Sequence, residues 1–137
     1  MKLNIFSLER RRERYQILYI WKVLENLVPN SGIHYTINAR HGRTCTVPTV
    51  KTTATARVRT LIHNSFSGCG PRLFNCLPKS LRDLTNCDLS KFKTNLDRFL
   101  RMVPDEPTSP GLKTTSGLSN SLLDLQGHTR NINFEIN

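Results

Sequence analysis

Apolar positions in the N-terminal part of the chain recur at helical spacing. They fall at Tyr15, Ile17, Leu18, Ile20, Trp21, Leu24, Leu27 and Val28, with one face centred on Ile17, Trp21, Leu24 and Val28. Ser7 stands where an N-cap is needed and Glu9 lies in the first turn, so the pattern predicts a helix over about 8–27, stopped by Pro29-Asn30-Ser31-Gly32. A second stripe, Leu89, Phe92, Leu96, Phe99, Leu100 and Val103, predicts another helix that starts at Asp88 or Ser90 and ends at Pro104.

Between these helices the period changes. Thr44-Cys45-Thr46-Val47 and Ala56-Arg57-Val58-Arg59-Thr60-Leu61-Ile62 read as short strands, closed into a hairpin by Lys51-Thr52-Thr53-Ala54-Thr55. Pro48 confines the first of them to an edge. Ser67-Gly68-Cys69-Gly70-Pro71 reads as a turn, Arg72–Leu77 as a short apolar turn or helix, and Lys79–Leu84 as one helical turn behind Pro78. The expected core is the two helices with Phe66, Leu73, Phe74 and Leu77 between them. From Asp105 onward Pro, Ser, Thr, Gly and Asn dominate, with Leu122, Leu123 and Leu125 able to form one transient turn. The expected fold is therefore α+β: two main amphipathic helices with a short β-hairpin and irregular turns between them, over residues 1–103, and a disordered, flexible C-terminal tail over 104–137.

Composition narrows the function. The 137 residues are 37% hydrophobic, leaner than an average globular domain, and carry a formal net charge of +10. The charge is uneven: net +3 over 1–25, +8 over 26–82, +1 over 83–103 and −2 over 104–137. The stretch from Asn26 to Arg82 holds eight basic residues and no carboxylate. Such a segment attracts polyanions, which points to an RNA or DNA backbone bound without sequence preference. A membrane is not expected as a partner, since no apolar run approaches about 20 residues and the basic stretch shows no clear amphipathic helix. No apolar leader precedes the first charges, so an intracellular, nuclear or cytoplasmic protein with reduced thiols is expected.

Catalytic chemistry finds little support. Cys45, Cys69, Cys76 and Cys87 are spaced by 24, 7 and 11 residues, without the paired spacing of a zinc site, so a centre from Cys45, His63, Cys69 and Cys76 is not signalled. Asp83, Asp88 and Asp97 sit at cap-like or exposed helix positions rather than in a cluster that would hold cations. Gly68 and Gly70 precede Pro71, not a phosphate-loop lysine. No cofactor, metal or small-molecule substrate is expected. The Arg10-Arg11-Arg12-Glu13-Arg14 cluster opposes the helix dipole at a helix start, which suggests an anionic partner for its guanidinium forks. With Arg40, Arg43, Arg57, Arg59 and Arg72, residues Arg10, Arg11, Arg12 and Arg14 form the expected phosphate-contact set. Tyr35 is the aromatic best suited to stack on a base, because Tyr15, Trp21, Phe66, Phe74, Phe92 and Phe99 read as core.

Several segments in order resemble one family. They are Ser7–Tyr15, Tyr19–Glu25, Leu27-Val28-Pro29-Asn30, Arg40–Cys45 with Pro48, Asn64-Ser65-Phe66, Gly70–Asn75, Leu77–Arg82, Phe92-Lys93, Leu96-Asp97, Phe99-Leu100, Val103–Pro107 and Ser119–Asp124. Together, over about residues 3–124, they resemble the C-terminal region of LINE-type (non-LTR, jockey-like) retrotransposon reverse transcriptases. The resemblance implies a fragment of an RNA-directed DNA polymerase that lies downstream of the palm, near the thumb. The Tyr-x-Asp-Asp motif of the palm is absent from the chain, so the resemblance implies no catalytic residue and no enzyme activity of its own. Cys69 stands where the family tends to carry Arg, and residues 125–137 run past the usual ending. Two alternatives stay open: a protein-interaction module that docks on the thumb of a parent polymerase, and a non-functional translation product of a decayed element.

Overall fold

The computed structural model describes residues 5–30, 32–49, 53–105, 121–126, 129 and 132–136. The element order is α1 (Leu8–Leu24), β1 (Tyr35–Asn38), β2 (Gly42–Cys45), α2 (Ala56–Asn64), α3 (Phe66–Asn75), α4 (Lys79–Arg82) and α5 (Leu89–Met102). The fold is α+β, with helices predominating over one two-stranded antiparallel hairpin.

Helix α1 starts as its sequence dictates: the Ser7 hydroxyl accepts from the Arg10 backbone N–H at 3.1 Å. Its inner face buries Ile17, Ile20, Trp21 and Leu24. Trp21 stacks on Phe92 of α5 at 4.6 Å and 11°, and its indole N–H donates to the Leu84 carbonyl at 3.0 Å. Satisfying that donor lets the largest side chain of the core lie fully buried. Helix α5 closes the core with Phe92, Leu96, Phe99 and Leu100. Asp88 occupies its cap position, without a side-chain capping hydrogen bond.

Four expectations are corrected. First, residues 56–62 form a helix, not a strand. Thr55 caps it, accepting from the Val58 N–H at 3.4 Å, and the Thr60 hydroxyl donates back to the Ala56 carbonyl at 3.0 Å. None of the residues of α2 is buried, and its short stripe, Val58, Leu61 and Ile62 at helical spacing, is outweighed by the β-branched residues around it. Second, the hairpin joins Tyr35–Asn38 to Gly42–Cys45 through Ala39-Arg40-His41; the 44–47 expectation catches only its last two residues. Of the supposed link, Lys51 and Thr52 lie outside the described residues, and Thr55 caps α2.

Third, the Gly68-Cys69-Gly70-Pro71 segment lies inside α3 rather than in a turn. A Cβ on Gly68 would sit 2.3 Å from the Ile62 carbonyl oxygen, and one on Gly70 3.0 Å from Ile20 Cδ1. Both glycines therefore serve close packing, of α2 on α3 and of α3 on α1. Fourth, Leu73, Phe74 and Leu77 are core, but Phe66 is exposed and meets Tyr19 edge to face at 5.1 Å.

The 104–137 tail expectation falls partly on residues 106–120, 127–128, 130–131 and 137, outside the described set. The described remainder differs from it. Leu122, Leu125 and Phe134 are buried in the core cluster, and Phe134 packs edge to face on Phe99 at 5.7 Å. The Glu13 carboxylate of α1 accepts from the Ser121 hydroxyl at 2.6 Å and the Leu122 N–H at 3.0 Å. The short leucine segment thus gains as a partner the inner end of α1, which its local sequence does not contain.

Candidate nucleic-acid interface

The nine expected phosphate-contact arginines separate into three groups. Arg10 and Arg43 are buried, which corrects their assignment as phosphate contacts. The Arg10 guanidinium donates to the Pro104 carbonyl at 2.9 Å and lies 3.7 Å from the Glu13 carboxylate. Burial lowers its pKa, and Glu13 and Asp105 oppose that shift. Burial likewise raises the Glu13 pKa against its hydrogen bonds to Ser121 and Leu122 and the charge of Arg10. Arg43 projects inward from β2 and joins three elements. It donates to the Glu25 carboxylate at 2.7 Å, to the Arg82 carbonyl at 2.8 Å and to the Leu84 carbonyl at 3.3 Å. Its guanidinium carbon also lies 5.8 Å from the Phe74 ring.

Arg14 and Arg72 are half-buried and already engaged. Arg14 forms a two-pronged pair with Asp97 of α5, at 2.5 and 3.1 Å. Arg72 donates to the Gly68 carbonyl at 3.0 Å and the His63 carbonyl at 2.7 Å, and meets the His63 ring nitrogen at 2.8 Å. Arg11, Arg12, Arg40, Arg57 and Arg59 are exposed. Arg11 and Arg59 each donate to a local carbonyl, of Phe6 and Ala54, from the solvent side. Backbone carbonyls, with Glu25 just outside the acid-free stretch, thus satisfy several cations that sequence counting leaves unneutralised. Tyr35 is exposed on β1, where all four residues face solvent.

Two clefts gather part of the basic surface. One, of about 800 Å³, lies where the hairpin, α3, α4 and the C-terminal segment meet; His41, Arg72, Lys79 and Arg82 line it. The other, of about 370 Å³, is lined by Arg59, His63 and Arg72 with Val47, Pro48 and Ile62. Arg72 belongs to both. Neither described lining contains a carboxylate. Asp83 stands nearby on α4's far end, where it accepts the Arg43 N–H at 2.7 Å. Gly42 makes that approach possible: its φ is +71°, and a Cβ there would lie 2.4 Å from the Asp83 carboxylate.

Lys79 and Arg82 are absent from the arginine set read from the sequence. Lys79 donates to the Ala39 carbonyl at 2.9 Å from an exposed position. Arg82 donates to the Leu77 and Arg43 carbonyls at 2.9 Å, and burial lowers its pKa. The signal that could have found them is the acid-free stretch itself, which ends at Arg82.

Among the described residues, no group of three His, Cys, Asp or Glu side chains could hold a metal ion, and Cys45, Cys69, Cys76 and Cys87 are free thiols. Burial pushes the Cys45 thiol up to about 11 and raises Cys69 and Cys87 as well, the direction opposite to that of an activated nucleophile. No described helix is long and apolar enough to cross a membrane. The basic stretch does contain a short amphipathic helix, α2, with Val58, Leu61 and Ile62 on one side and Arg59, Thr60 and His63 on the other, which corrects the expectation that this stretch shows none. Comparison with protein-family models, with curated proteins and with solved structures finds no match.

Proposed function

We propose that the chain binds nucleic-acid backbone without sequence preference, as a catalytically silent C-terminal piece of a LINE-type reverse transcriptase. The observation that carries the binding reading is the pair of carboxylate-free clefts joined at Arg72. Phosphate oxygens can replace water there around Arg59, Lys79 and the outer edges of Arg72 and Arg82. Arg40, on the hairpin turn, and Arg57, on α2, extend the positive field beyond the clefts. The origin of the piece is supported by the ordered sequence motifs alone. No palm aspartate pair is present to polymerise, so the chain contributes binding to a parent polymerase, not chemistry.

The test is a titration of the 137-residue chain into labelled RNA and duplex DNA, followed by anisotropy at two salt concentrations. Four engaged Arg and Lys side chains give a log–log salt slope of about −3 to −4. Arg59→Ala and Lys79→Ala each reduce that slope by about 0.7 to 0.9 without unfolding the chain, because both side chains are exposed. A slope near zero, or no binding at low salt, overturns the proposal.

A further inference from the structure

The outward side of α1 carries an arrangement that the cleft reading does not use. At 3.6 residues per turn, Leu8, Arg11, Arg12, Tyr15, Tyr19 and Lys22 fall within an arc of about 100°. That arc contains no carboxylate: Glu9 lies about 60° beyond it, and Glu13 turns inward to Ser121 and Leu122. Tyr15 is 66% exposed, which corrects its expectation as core, and Tyr19 is 39% exposed. Phe66, 38% exposed at the start of α3, holds the Tyr19 ring edge to face at 5.1 Å. That contact braces the ring, which stays partly exposed. The Arg14 guanidinium carbon lies 5.9 Å from the Tyr15 ring centre, held there by Asp97.

Two aromatic rings one helical turn apart, flanked by exposed arginines and free of carboxylate, match what an unpaired strand needs. Bases stack on the rings and phosphates lie against Arg11, Arg12 and Lys22. Duplex cannot use such a site, because its bases are already stacked on one another. The charge argues against an acid-poor protein partner as the occupant, since a neutral helix docked here would leave two arginines without counter-charge. We infer that the outer face of α1, with Tyr15 and Tyr19 as stacking platforms braced by Phe66, binds single-stranded nucleic acid through its bases. This inference rests on the nucleic-acid reading proposed above and deepens it by naming an unpaired strand as the ligand.

The test compares three labelled probes with the full chain: an oligothymidylate of about 12 nucleotides, an abasic oligomer of the same length, and a duplex of the same length. The base-bearing strand is expected to bind about tenfold or more tighter than the abasic one. The Tyr15→Ala/Tyr19→Ala variant erases that difference and leaves the salt slope unchanged, whereas Tyr15→Phe/Tyr19→Phe retains it. The wild-type comparison needs no variant to fold, and far-UV circular dichroism checks the variants. Equal affinity for base-bearing and abasic strands overturns the inference and leaves the electrostatic reading standing. No binding to any probe overturns both. Concentration-dependent sedimentation that the alanine pair abolishes assigns the face to a second copy of the chain and also overturns the inference.

Discussion

Arg43 is the residue whose role changes most between sequence and structure, and Arg43→Ala separates the two readings. As a surface phosphate contact, its loss would leave stability untouched and flatten the salt dependence of binding. As a buried strut, its loss destabilises. Breaking a buried ion pair by removing one partner costs about 3–5 kcal/mol when the remaining charge stays dry. Here Glu25 retains the Asn86 N–H at 3.1 Å and lies near the surface, so water recovers part of that loss. The Leu84 carbonyl keeps the Trp21 indole donor, but the Arg82 carbonyl loses its Arg43 donor, which costs about 1 kcal/mol. The expected total is about 3 kcal/mol, a large share of a domain stability of about 5–15 kcal/mol. Urea unfolding followed by the fluorescence of Trp21, the single tryptophan, measures it. Glu25→Gln keeps an amide oxygen in place and should cost about 1 kcal/mol, isolating the charge from the hydrogen bond. An Arg43→Ala stability within about 0.5 kcal/mol of wild type, with a shallower salt slope, would refute the reasoning.

Further outcomes follow from other contacts. Gly68→Ala should lose about 1–3 kcal/mol and loosen the α2–α3 junction, because backbone cannot move from the 2.3 Å approach, while Gly70→Ala should stay within about 1 kcal/mol, since the Ile20 side chain, at 3.0 and 3.2 Å, must give only slightly; urea midpoints with unchanged m-values check both. The Glu13 pKa is raised in the folded chain, so its contribution favours folding at low pH and is lost as pH rises through the folded value. The stability of wild type relative to Glu13→Gln should therefore fall between pH 4.5 and pH 7, and a rise over that range would contradict the burial argument. With its thiol near 11, Cys45 should be among the last of the four cysteines to alkylate at pH 8.5, read by mass spectrometry of iodoacetamide-treated native protein.

The parts legible in the sequence share one property: they bury a stripe. Helix α1 buries Ile17, Trp21 and Leu24 and helix α5 buries Phe92, Leu96 and Phe99 in one core, and burial at period 3.6 is what a hydrophobic pattern records. Helix α2 has no fully buried residue, and the strand-like preference of its β-branched Val58, Thr60 and Ile62 competes with the short helical stripe Val58, Leu61 and Ile62. The glycines of α3 carry a tertiary message, the closeness of Ile62 and Ile20, in residues that ordinarily mark turns. Strand β1 is exposed along its whole length, so the alternation of Tyr35 and Ile37 with Thr36 and Asn38 over four residues corresponds to no buried face. The basic character of the surface was legible from the missing carboxylates, but the fate of each arginine was not. Arg12 and Arg10 differ by two positions on one helix, yet one faces solvent and the other lies against Pro104, an outcome set by residues more than 90 positions away.

The bond from Glu13 to Leu122 spans 109 residues, and Ser7 donates to Asp105 across 98. Both tie α1 to chain about a hundred residues downstream. Closing such spans costs loop entropy that local helix contacts do not repay until the downstream segment docks. Until then the Arg10–Glu13 pair of α1 stays unsealed, so completion of the core is a late step in folding. A variant truncated before Leu122 should therefore be more open to proteolysis than the full chain.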